Sequence, residues 1–260
     1  GRLYWGRWRY QEAEQYLSEA LRSKRRLFGS DHPETVDTMG WLGWTYSAQG
    51  RAKEAESLLA EAYKTAQQTF GDRHKTTLEY MCRYGGALLL CGRYVEAERV
   101  LRNALELSQE ALIPANPSMV YHAALLGRLY SRKGQYEEAE ELLVKMLATS
   151  RDAWGEHSSA TSHCVAALAE NYARQDMIDK AETIMLDAIR RGAQTDESRP
   201  EIALETKPYI GLFYLWQRRY NDAERCAREA LSASLDSYGE NHPITVGLCM
   251  TLLGMVYREQ

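Results

Sequence analysis

The sequence predicts an all-α solenoid of stacked antiparallel helix pairs, and three observations predict it. The dipeptide Ala-Glu recurs at Ala13-Glu14, Ala55-Glu56, Ala97-Glu98, Ala139-Glu140, Ala181-Glu182 and Ala223-Glu224, with a constant step of 42 residues. A fixed period of this size marks supersecondary units stacked into one continuous array. Within the period, apolar residues follow helical spacing: Ala139, Leu143 and Met146 fall at i, i+4 and i+7, and the same columns hold Ala55, Leu59 and Ala62. That pattern is one face of a helix. Glycines punctuate the period at two fixed places, Gly50, Gly92 and Gly134, then Gly29, Gly71, Gly155 and Gly239, where a helix C-terminus is expected.

Each element follows from this punctuation. A helix over 8–28 carries Ala13 and Leu17 and stops at Gly29. His32-Pro33 opens a helix over 34–49, since proline fits a first turn whose N–H has no intrahelical partner. Helices over 52–70 and 76–91 flank Gly71 and His74-Lys75, and a helix over 94–112 follows Gly92. Ile113-Pro114-Ala115 predicts a different turn before Asn116-Pro117 opens 118–133. After Gly134, the run Glu137-Glu138-Ala139-Glu140-Glu141 begins 136–153, where carboxylates favour the positive end of the helix dipole. Helices over 160–175 and 178–194 follow, then a looser loop through Asp196-Glu197-Ser198-Arg199-Pro200. Pro208 is expected to kink or delay the helix over 203–217. Helices over 220–238 and 244–258 close the chain, with Tyr257 one residue past its column.

Two further columns say how the helices meet. Tyr4, Tyr46, Leu88, Tyr130, Tyr172 and Tyr214 share one, and Gly43, Gly85, Gly127, Ala169 and Gly211 stand three residues earlier. A large residue beside a small one lets two helices approach closely. The repeats divide as a half repeat 1–29, full repeats 30–71, 72–113, 114–155, 156–197 and 198–239, and a half repeat 240–260. The chain begins in a helix end, Leu3-Tyr4, so it reads as a piece of a longer array. Its uncapped ends, with Trp5, Trp8 and Tyr10 at the first, are expected to support self-association.

Composition excludes several classes. Net charge is −4, which supplies no general attraction for nucleic acid, and Arg22, Lys24, Arg25 and Arg26 read as a solvated helix end. No apolar run nears the roughly 20 residues of a membrane span. Five cysteines at scattered spacings fit a reducing, cytoplasmic setting, with Cys82, Cys91, Cys226 and Cys249 as small core residues. No catalytic, cofactor or metal motif is present. His32, His74 and His242 lie in the turn column and read as caps, and His163 and Cys164, adjacent on one helix, point to different sides.

The small-then-aromatic columns followed by the Ala face resemble the tetratricopeptide repeat, lengthened here from its usual period of about 34 residues. His32-Pro33-Glu34-Thr35, His242-Pro243-Ile244-Thr245 and the run from Gly92 to Glu98 are similar to kinesin light chain repeats and to the arrays of fungal NLR-like signal-transduction ATPases. The resemblance implies a right-handed superhelix whose first helix in each repeat lines a concave groove. Peptide-binding kinesin light chains carry asparagines there; this sequence has Gly40-Trp41, Cys82-Arg83, Ala124-Leu125, Ala166-Ala167 and Pro208-Tyr209.

The variable groove columns are the candidate site: Trp44, Tyr121, Arg128, Arg132, His163, Arg174, Leu212, Leu215 and Trp216, with Glu170 among them. Arginine forks onto carboxylates, and tryptophan and tyrosine bury large area at small entropic cost. A basic middle and an apolar C-terminal end fit an acidic protein or peptide ligand with one apolar anchor. The expected function is a non-catalytic binding module, the ligand-sensing array of an NLR-like ATPase. A kinesin-light-chain-type cargo adaptor and a self-assembling scaffold are the alternatives.

Overall fold

A computed structural model describes residues 10–111, 117–156, 158–195, 210–211, 213–215, 217–238 and 252–257. Its helices are α1 (Tyr10–Phe28), α2 (Pro33–Ala48), α3 (Ala52–Phe70), α4 (Lys75–Leu90), α5 (Tyr94–Ala111), α6 (Pro117–Lys133), α7 (Tyr136–Trp154), α8 (Ser159–Arg174), α9 (Ile178–Thr195) and α10 (Tyr220–Tyr238). Residues 252–257 are helical as well, and no strand occurs among the described residues. From α1 to α9 each helix packs on the next. The even-numbered helices α2, α4, α6 and α8 also touch one another in series, while the odd-numbered ones scarcely meet. The side on which alternate helices touch is the inside of a curve, so the even-numbered helices form the concave layer of an all-α solenoid.

The turn from each concave helix to its partner is one recurring device. Gly50, Gly92 and Gly134 take φ values of 77°, 74° and 80°. The next residue donates its N–H to the carbonyl of the tyrosine column: Arg51 to Tyr46 at 2.9 Å, Arg93 to Leu88 at 3.0 Å, Gln135 to Tyr130 at 2.9 Å. This is the Schellman arrangement, which closes the helix carbonyls through a left-handed residue. Asp176 and Arg218 hold the same position at φ 60° and 57°, although they carry a Cβ. That conformation costs a non-glycine residue about 1 kcal/mol. Arg218→Gly is therefore expected to raise stability by about 1 kcal/mol, read as a higher urea midpoint; an unchanged or lower midpoint would show that the side chain compensates the strain.

The other glycine column behaves as expected where it is described. Gly29, Gly71 and Gly155 have φ of 86°, 83° and 75° at helix ends, and Gly239 lies outside the described residues. His32 and His74 cap the following helices, each Nδ1 accepting from the N–H two residues on (Glu34, Thr76) at 3.2 Å. Their rings stack on Phe28 and Phe70 at 4.8 Å, and Ser158 caps α8 with its hydroxyl. His242, Pro208 and the Ile113-Pro114-Ala115 turn lie outside the described residues.

Inside each pair the glycine column has one partner. A Cβ on Gly43 would meet Leu59 Cγ at 2.6 Å, one on Gly85 would meet Leu101 Cδ2 at 2.6 Å, and one on Gly127 would meet Leu143 Cγ at 2.6 Å. Those leucines are fully buried. At the fifth pair the leucine column holds the small Ala227, and Leu252 of the following helix reaches Gly211 instead, at 2.3 Å from its would-be Cβ. The core is thus a chain of overlapping clusters, each tied to its neighbours, as a one-dimensional array requires.

The glutamate of each Ala-Glu pair joins one repeat to the next. Glu14 receives Arg51 at 2.7 Å, Glu56 receives Arg93, Glu98 receives Lys133 at 2.6 Å, and Glu182 receives Arg219 at 3.0 Å. Glu140 and Glu182 also take a tyrosine hydroxyl, Tyr172 at 2.8 Å and Tyr214 at 2.5 Å, and at Glu140 Met177 stands in the arginine column. The shifted Tyr257 keeps this bond, reaching Glu224 at 3.0 Å, while buried Val256 fills the position its column vacates. Arg51, Arg93 and Arg219 also pair with the acid three residues on, which holds the fork toward the preceding glutamate.

Candidate functional site

The concave floor is one helical face repeated. On α4 the positions are Glu79, Arg83, Gly86 and Leu90; on α6 Tyr121, Leu125, Arg128 and Arg132; on α8 His163, Ala167, Glu170 and Arg174. These fall at i, i+4, i+7 and i+11, and several of them contact the equivalent face of the next even-numbered helix. Gly86 is the gap in the floor: an added Cβ there would make only ordinary contact with Leu125, at 3.5 Å.

At the N-terminal end the floor is aromatic. Trp41 and Trp44 of α2 lie 5.5 Å apart, centroid to centroid. The Arg83 guanidinium is 5.3 Å from the Trp41 ring, 5.1 Å from Trp44 and 5.8 Å from Tyr80. It also donates to Gly40 O at 3.3 Å and to Glu79 Oε1 at 2.5 Å. Gly40 makes this possible, because a Cβ there would lie 2.3 Å from the Tyr80 ring. Arginine over tryptophan faces is an attractive contact that strengthens as water is excluded. Trp44 remains 39% exposed and so offers an apolar face to the groove.

In the middle the floor is basic. Glu170 of α8 lies between Arg128 and Arg132 of α6 and Arg174 of its own helix, at 3.4 Å, 3.9 Å and 3.2 Å. Arg174 makes aligned hydrogen bonds to it. Arg128 and Arg132 do not: each Nε is buried without a hydrogen-bond partner, while the side chains are 31% and 28% exposed. Three guanidinia against one carboxylate leave a surplus of two positive charges. Beside them, Tyr121 and His163 meet edge to face at 4.7 Å across the same helix pair.

The structure therefore brings Arg128, Arg132, Arg174 and Glu170 into one cluster and puts Tyr121 and His163 on the same two helices. Trp44 stands apart, at the aromatic end. Leu215 is half-buried against the hydrophobic core, so much of it is structural. Leu212 and Trp216 lie outside the described residues. Tyr80, and Trp41 and Arg83 which the sequence places in the groove columns, are the groove residues left out of the candidate site. Their signal was present, since Trp41 stands three residues before Trp44 and Arg83 falls one period after Trp41.

Among the described residues, the adjacent His163 and Cys164 are not placed as a base and a nucleophile. His163 is exposed whereas Cys164 is fully buried, and burial pushes that thiol up to about 12, away from the nucleophilic thiolate. Cys82, Cys91 and Cys226 are half-buried and reduced. Cys226 packs on the core as expected of it. Cys82 and Cys91 lie outside the core clusters, because their helix faces turn partly to solvent; Cys249 lies outside the described residues. Among the described residues no group of His, Cys, Asp and Glu could hold a metal, and no helix is long and apolar enough to cross a membrane. In the N-terminal basic run, Lys24 pairs with Glu34 at 2.7 Å and Arg25 with Glu61 at 2.6 Å.

Among solved structures, the nearly identical TPR-like repeats of a kinesin-light-chain-type protein from Podosopora anserina match with a TM-score of 0.60 at 23% identity, over 76% of this chain and 93% of that one. BtubC from P. vanneervenii matches at 0.60 and 21%, over 90% and 94%. A Rap protein in complex with competence and sporulation factor matches at 0.65 and 12%, over 100% and 73%. At these identities the likeness is one of fold. No curated protein matches by sequence. Tetratricopeptide repeat profiles match residues 1–68, 49–110 and 76–152, and a second such profile matches residues 209–244. Those matches span more than half of the sequence, and the chain accordingly belongs to the tetratricopeptide repeat family.

Proposed function

We propose that this array is a non-catalytic module that captures an acidic peptide segment on its concave face. The observation that carries the reading is the surplus of two positive charges where Arg128, Arg132 and Arg174 share Glu170. The exposed Trp44 indole on the same floor supplies a place for one apolar anchor. Carboxylates binding there would take forked, charge-assisted bonds, and the ring would supply buried area. The Rap protein above is seen with competence and sporulation factor, which is consistent with ligand capture on this fold.

The wider setting in this reading is the ligand-sensing array of an NLR-like signalling ATPase. A nucleotide-binding domain encoded upstream in the full gene would support it, and an upstream heptad coiled coil would favour a cargo adaptor instead.

Fluorescence polarisation with a labelled Glu/Asp-rich peptide containing one leucine tests the binding reading. Trp44→Ala, and Arg128→Gln with Arg132→Gln, are each expected to weaken capture roughly tenfold or more, with melting temperature nearly unchanged. If melting falls together with binding, those residues are structural and the groove reading fails.

A further inference from the structure

We propose that the Arg128–Arg132–Arg174 cluster is a subsite for a phosphorylated side chain of the peptide ligand. The inference rests on the groove-binding reading and narrows it from acidic to phosphorylated.

The argument begins with the internal carboxylate. Glu170 has two oxygens in one plane, and three guanidinia approach it from two helices. Only Arg174 attains aligned hydrogen bonds. Arg128 and Arg132 stay at ion-pair distance with each Nε buried and unpartnered. A buried donor without an acceptor costs free energy, more so when it is charged. In this arrangement the planar carboxylate hydrogen-bonds only one of the three forks. A tetrahedral group with three equivalent oxygens can give one oxygen to each.

Charge points the same way. Counting Glu170, the cluster holds a surplus of two positive charges, whereas a ligand aspartate or glutamate brings one negative charge. A phosphoserine or phosphothreonine brings about 1.5 to 2 at neutral pH, together with three strong acceptor oxygens. All three cations are arginines, whose planar forks suit phosphate geometry better than the point charge of lysine. The surroundings favour a peptide over a free ion, since Leu125 and the Tyr121–His163 pair share the floor beside the cluster and would contact flanking residues.

The test uses the full chain and four probes: N-acetyl-Leu-Ala-phosphoserine-Ala-Leu-amide, the same peptide with glutamate or with serine at the centre, and inorganic phosphate. Affinity is measured by titration calorimetry, and the arginine Nε–Hε resonances are followed by NMR. The phosphoserine peptide is expected to bind roughly tenfold or more tightly than the glutamate peptide. It should also shift the Arg128 and Arg132 Nε–Hε signals. Arg128→Lys with Arg132→Lys keeps the charge and should erase the preference. Glu170→Gln removes the internal competitor and should strengthen phosphopeptide binding several-fold, which a merely structural ion pair would not do.

Equal affinity for the phosphoserine and glutamate peptides overturns the proposal, as does a preference that survives the double lysine variant. Inorganic phosphate binding as tightly as the phosphopeptide would make this a free-anion site and overturn it as well. If the lysine variant melts lower, Glu170→Gln decides, and weaker or unchanged binding there counts against the subsite. Unphosphorylated acidic peptides still captured through Trp44 and Arg128 would leave the broader reading intact after such a failure.

Discussion

Gly127→Val should lower stability by about 3 kcal/mol. A Cβ at Gly127 would lie 2.6, 2.7 and 2.8 Å from Leu143 Cγ, Cδ2 and Cδ1. All three are closer than real contacts allow, and they are the branch carbon and both of its methyls, so turning one methyl away relieves nothing. Leu143 is fully buried in the largest core cluster, so it has no empty space to enter. Either the helices separate or the leucine leaves its rotamer, and dense packing makes both costly. The measurement is the urea midpoint.

The array itself shows how such a loss is compensated. One period on, the same two columns hold Ala169 and Met185, both buried in one core. A methyl on the first helix is there matched by an unbranched thioether on the second, which can bend away where a leucine cannot. Gly127→Ala alone should therefore destabilise, and adding Leu143→Met should restore most of the loss. A double variant no more stable than the single one would show that the two columns are not coupled.

Acid should weaken the fold through His122. This ring is fully buried between three helices, with Nε2 3.1 Å from the Leu78 carbonyl and Nδ1 2.9 Å from the Ser108 hydroxyl. The neutral tautomer donates from Nε2 to Leu78 and leaves Nδ1 an acceptor for the Ser108 proton, which the Ala104 carbonyl at 2.6 Å shares. Burial pulls its pKa down to about 4 from the ordinary 6.5, with the Leu78 hydrogen bond opposing the shift only in part. The unfolded chain thus binds the proton first as pH falls. Stability is fully present above pH 6.5 and declines as pH drops toward 4, by about 3 kcal/mol in all. Urea midpoints of the native protein and of His122→Gln at pH 7.5 and 4.5 test this, since carboxylate effects common to both cancel. Their separation should shrink by about 2 to 3 kcal/mol at the acid end. A separation independent of pH would show that His122 is not held neutral.

What could be read in advance divides along physical lines. Helix ends were legible within one or two residues: 34–49 was expected where Pro33–Ala48 is found, and 136–153 where Tyr136–Trp154 is found. Glycine φ angles, proline at the first turn and histidine caps act over two to four residues, so local sequence contains their cause. The Gly–Leu contacts were half legible: the small column was identifiable, but its partner lies sixteen residues on, in another helix.

In the site, the period put Arg128, Arg132 and Arg174 in the groove columns, because one helical face follows from spacing alone. It could not show that all three lean on Glu170, nor that Arg83 is held among Trp41, Trp44 and Tyr80. Those facts depend on how far one concave helix is rotated and shifted against the next. The sequence by itself determined the repeat, the helices and the face each turns inward, since these are set by neighbours along the chain. Only the tertiary structure decided which charges meet, which donors stay without an acceptor and which histidine is sealed from water. Each of these is a distance between helices, and packing of whole side chains fixes it.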